Sequence, residues 1–105
     1  MKVKRPATME AYIELVDQAI FEASDLRAAI EFDGDYMGEA SGFVTELEEQ
    51  LLMLLGSLKN GSYKFSEEDL SFMPLVNNVH DILLPFKHLL RQINDTHTKG
   101  LEEDS

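Results

Sequence analysis

Residues 36–58 read YMGEASGFVTELEEQLLMLLGSL. Met37, Ala40, Val44, Leu47, Leu51, Leu54 and Leu58 recur at alternating spacings of three and four, the period of one face of an α-helix. Phe43, Leu52, Met53 and Leu55 widen that face beyond what one neighbouring helix covers, so the segment is expected to touch two neighbours or a second chain. Gly38 and Gly42 form a G-x-x-x-G spacing. Between charged flanks this predicts close backbone approach to a neighbouring helix rather than membrane pairing.

On the N-terminal side the same period appears from about Met9 to Phe32. Met9, Ile13, Val16, Ile20, Ala23 and Ile30 make its stripe, and Tyr12, Leu15, Ala19 and Leu26 broaden it. Thr8 is a suitable N-cap, and Glu10 adds negative charge to the first turn. Phe21 falls among Glu14, Asp17 and Asp25 on the polar side, where an aromatic ring is out of place. Asp33-Gly34-Asp35 is turn chemistry and separates the two helices.

On the C-terminal side, Lys59-Asn60-Gly61-Ser62 stops the second helix, with Gly61 at the left-handed position. Tyr63 to Phe65 is a short link, and Ser66-Glu67-Glu68-Asp69 resembles a capping box. Phe72, Val76, Val79, Leu83, Phe86, Leu90 and Ile93 then keep the helical period, flanked by Leu75, Ile82 and Leu89. Pro74 fits a first turn. Pro85 interrupts a stripe that continues past it, which predicts a kink rather than a stop. The expected fold is therefore all-α: an up-down-up three-helix bundle, its third helix kinked at Pro85, with a short helical turn, Ser66 to Phe72, before it. Residues 1–8 are expected to be a flexible lead, 9–99 a single domain and 100–105 a disordered acidic tail.

The 105 residues allow one core and no second domain. No cysteine is present, which rules out disulfides and thiolate chemistry. The basic start is followed by Glu10 and Glu14 rather than an apolar run, and the longest such run is Leu51 to Leu55. Neither a signal peptide nor a membrane span of about 20 residues is expected, and the chain is placed in the cytoplasm. The net charge of −11 disfavours contact with nucleic-acid phosphates. It is uneven: residues 9–81 carry 16 acids against 3 bases, whereas 85–99 carry three bases against Asp95.

Three constellations bear on function. Glu31, Asp33, Asp35 and Glu39 gather carboxylates at the first turn, as a divalent-cation site does. Against the calcium-loop pattern Asp33, Asp35 and Gly38 fit, but Met37 and Val44 stand where ligands belong. His80, His88 and His97 follow Asn77, Pro85 and Asn94 by three residues, so the Glu-x-x-His of di-iron bundles is absent. His97 lies on the apolar stripe and reads as a core-edge histidine. His80 and Asp81 flank the carbonyl that a Pro85 kink would free, which would give a small-molecule pocket its polar contacts. No catalytic motif or phosphate-binding glycine loop occurs, and neither enzymatic activity nor a cofactor is expected. The composition instead suits an acidic helical interaction module, self-associating as a homodimer or binding a protein partner, with Phe21, Phe43, Leu52 and Met53 as its contact residues.

Overall fold

The computed structural model describes residues 5–33, 38–79 and 84–101, and of residues 33 and 38–41 the backbone alone. Four helices follow in order: α1 (Met9–Asp33), α2 (Gly38–Asn60), α3 (Met73–Asn78) and α4 (Lys87–Lys99). They form an all-α bundle in which α1 packs against both α2 and α4, and α3 packs against α4.

α1 starts where the sequence places it. The Ala11 N–H donates to Thr8 Oγ1 at 3.1 Å, satisfying one of the four amides a helix N-terminus leaves free. Its buried line is Tyr12, Val16, Ala19, Ala23 and Ile30. α2 ends at Gly61, whose φ of 82° is left-handed and costs little without a Cβ. Val44, Leu47, Leu51, Leu54 and Leu58 turn inward. Apart from Ile30 and Val44, these two lines meet Phe72, Met73, Val76, Leu84, Phe86, Leu89, Leu90 and Ile93 in one core. Ile30 and Val44 form a smaller cluster toward the α1–α2 turn, joined by Leu26 and Phe43. Leu101, beyond the last helix, packs partly against the main core.

The third helical region departs from expectation. It is not one helix bent at Pro85 but two helices. α3 stops at Asn78, and Val79 is extended at φ −100°, ψ 138°. Two asparagines, whose side chains compete for backbone hydrogen bonds, precede a β-branched valine, and this sequence ends the helix well before the proline. Pro85 then biases Leu84 away from helical backbone, and α4 begins only at Lys87. The apolar stripe persists because both pieces bury it in the same core. Lys87, itself buried, spans the break: its Nζ donates to the Val79 carbonyl, an acceptor that α3 leaves open at its end.

Residues 66–72 also differ from the expected helical turn. The Glu68 N–H donates to Ser66 Oγ at 3.2 Å and the Met73 N–H to the Leu70 carbonyl at 3.0 Å, giving two separate turns. Asp69, which the capping box would turn back on Ser66, instead accepts from Asn94 Nδ2 at 3.0 Å.

The glycine spacing has no packing role at Gly42. A Cβ there would meet nothing within 4 Å, so close helix approach is not what this residue provides.

Candidate functional site

The connection between α2 and α3 has no regular structure, and its polar backbone groups need partners. α2 and α4 supply them. The Tyr63 N–H donates to the Ser57 carbonyl at 3.1 Å and the Ser66 N–H to the His97 carbonyl at 3.2 Å. The Leu70 N–H donates to Asn94 Oδ1 at 2.7 Å. Asn94, buried on α4, thus accepts from Leu70 through its oxygen and donates to Asp69 through its nitrogen, fastening the connection at two points. Ser71 Oγ donates to Gln50 Oε1 at 2.6 Å and ties the far end to α2.

Held in this way, the connection lays Tyr63 and Phe65 against Tyr12 of α1. Tyr63 meets Tyr12 edge-on at 5.8 Å between centroids, and Phe65 stacks on Tyr12 at 6.2 Å. Tyr12 Oη donates to the Ile93 carbonyl at 3.2 Å. It also lies 3.2 Å from Tyr63 Oη, which in turn lies 2.5 Å from His97 Nδ1. Burial raises both phenols above their ordinary value, and the bond with Tyr63 raises Tyr12 further. Burial holds His97 below the usual histidine value, and nearby Asp69 partly opposes that shift.

His97 and Tyr63 also form part of the wall of a cavity of about 350 Å³ between α2, the connection and α4. Met53, Leu54, Leu70 and Phe72 supply its apolar surface. Ser57 Oγ donates to the Leu54 carbonyl at 2.7 Å, and Ser71 to Gln50, so neither hydroxyl is paired with His97 as a nucleophile would be.

Of the described residues proposed from sequence as site residues, Met53 lines this cavity. Phe21, Leu52 and Met53 are large apolar side chains left 68%, 50% and 75% exposed. Phe43 is half-buried, packed against both core clusters. Of the acidic turn, Glu31 is described: it lies 3.4 Å from Arg27 Nη1, while Arg27 Nε donates to Glu48 at 2.7 Å and joins α1 to α2. The side chains of Asp33 and Glu39, and all of Asp35, lie outside the described residues, as do His80 and Asp81. No group of three or more histidine or acidic side chains among the described residues is arranged to hold a metal. Near Pro85 there is a cleft of about 160 Å³ beside Phe86 and His88, smaller than the roughly 300–1,000 Å³ of ordinary ligand pockets. No described helix is long and apolar enough to cross a membrane.

The Tyr12–Tyr63–His97 group was not legible as a unit. Its members are 51 and 34 positions apart. The one local sign was a histidine on an apolar stripe.

Comparison with protein-family models, with curated proteins and with solved structures returns no match.

Proposed function

We propose that this chain is a non-enzymatic interaction module that self-associates through the outer side of α2. The observation that carries the proposal is the exposure of the consecutive residues Leu52 and Met53, on the side of α2 turned away from its buried line. Adjacent residues on a helix point about 100° apart, so the pair covers a broad outer face rather than one ridge. Burying such side chains stabilises a contact by roughly 1.5–3 kcal/mol each. A second copy is the natural occupant, because a two-fold contact sets the same patch against itself. Phe21 on α1 and Phe32, 91% exposed, add apolar surface to the same helical hairpin.

Charge gives the proposal a distinctive test. Two copies at −11 each repel, and Glu46 and Glu49 lie exposed on α2 beside the patch. Salt screens that repulsion without weakening apolar contact. Sedimentation velocity from low-micromolar to millimolar protein is expected to show a monomer–dimer equilibrium that tightens as salt is added. Leu52→Glu, at an exposed site the fold does not need, should weaken it by about tenfold or more. A monomer at every concentration overturns the proposal. So does an association that salt weakens, since that would mean contact between opposite charges, such as the acidic body and the basic α4.

A further inference from the structure

The hydrogen-bond chain ending at His97 has one proton order that satisfies all of it. Three gaps separate the Ile93 carbonyl oxygen, Tyr12 Oη, Tyr63 Oη and His97 Nδ1, at 3.2, 3.2 and 2.5 Å. A carbonyl only accepts, so the single Tyr12 proton goes to Ile93. Tyr12 then accepts from Tyr63, which commits the only Tyr63 proton. The last gap is filled only when His97 carries its hydrogen on Nδ1 and donates it to Tyr63. A neutral His97 in that tautomer has its lone pair on Nε2.

Nε2 receives no hydrogen bond from a described residue. Nor is it sealed in the interior, because no fully buried side-chain nitrogen or oxygen among the described residues lacks a partner. Nε2 therefore keeps some exposure to solvent, and the His97 ring forms part of the wall of the 350 Å³ cavity.

We infer that this cavity binds a small neutral aromatic molecule that donates one N–H or O–H to His97 Nε2. The Tyr63 and Phe72 rings and the Met53 thioether favour a flat, polarisable guest. Of the lining residues Lys64 alone is charged, so no carboxylate of the wall greets a cation. An anion would face a lone pair. The burial that keeps His97 neutral near pH 7 keeps that acceptor available. Met53 belongs both to the cavity wall and to the proposed self-association patch, whereas Leu52 is not part of the wall, so Leu52→Glu is expected to lose the dimer and keep the ligand.

The test pairs two probes that differ by one donor. Indole and 1-methylindole are titrated into ¹⁵N-labelled full-length protein, and the histidine ring nitrogens are followed together with the Tyr63, Leu70 and His97 amides. The free protein should show the His97 tautomer with hydrogen on Nδ1. Indole should bind saturably and shift those resonances, while 1-methylindole binds about tenfold more weakly, the effect of one hydrogen bond. Tyr63→Phe keeps the ring contacts with Tyr12 and Phe65 but removes the acceptor for Nδ1–H. It should give a mixture of tautomers and a narrower difference between the probes. Equal affinities, no saturable binding, or hydrogen on Nε2 in the free protein would each overturn the inference.

Discussion

At the scale of single residues, His97 couples the fold to pH. Burial makes the charged imidazolium less favourable in the folded chain than in the unfolded one, and the attraction of Asp69 only partly offsets this. Between the lowered folded value and the ordinary value of about 6.5, the unfolded chain therefore holds more protons. The contribution of His97 is complete above about pH 6.5 and is lost as pH drops through that window. Urea unfolding at about pH 7.5 and about pH 5.5 should show a larger loss for the parent than for His97→Gln, which does not titrate. His80 and His88 are common to both proteins and cancel. An equal loss in the two would show that His97 is not the group responsible. Some of this chemistry was readable in the sequence. Thr8 announces its cap through local type and spacing, and Phe21 announces its exposure by sitting among acids. Tyr63 does not announce His97, because a contact across 34 positions is made by the fold and not by the local chain.

At the scale of elements, α2 buries Val44, Leu47, Leu51, Leu54 and Leu58, the described part of the stripe its spacing predicts, whereas α1 buries a line through Tyr12, Val16, Ala19, Ala23 and Ile30 that is rotated from its predicted stripe, leaving Met9 exposed and Ile13 and Ile20 half-buried. The break between α3 and α4 escaped because hydrophobic period reports which side of the chain is buried, not whether the backbone stays helical. Val79 keeps its place in the period and is extended all the same. The mid-helix glycines carry an opposite lesson. Gly56 lies inside α2, and a Cβ there would meet nothing within 4 Å. Glycine in an exposed helix interior costs roughly 0.5–1 kcal/mol relative to alanine, through the freedom it loses on folding. Gly56→Ala should therefore raise the unfolding free energy by about that amount, measured by denaturant titration with an unchanged slope. Destabilisation would mean that an approach by a neighbour or a second copy at Gly56 requires the missing side chain.

At the scale of the whole molecule, folding gathers like charge. Residues 9–81 carry 16 acids against 3 bases, and Arg27 alone joins both Glu31 and Glu48. The molecule measures 49 × 32 × 21 Å. The screening length is about 30 Å at 0.01 M salt, so there each carboxylate feels most of the others; at 0.15 M it is about 8 Å, and each feels only its neighbours. Salt thus weakens two opposed effects. One is the attraction within the Arg27 pairs, which solvent already weakens. The other is repulsion summed over the acidic body, which the unfolded chain relieves by expanding. With so few bases, repulsion should win by about 1 kcal/mol, which for a domain of this size raises Tm by roughly 4–8 °C. Leu52→Glu at low concentration is the suitable protein, since a monomer separates intrachain repulsion from dimer formation. Sodium chloride is the suitable salt, because sulfate would add its own strengthening of apolar burial. A Tm that falls as chloride is added would mean that attraction centred on Arg27 outweighs the repulsion of the acidic body, and that the excess acids lie far enough apart on the folded surface to be tolerated without screening.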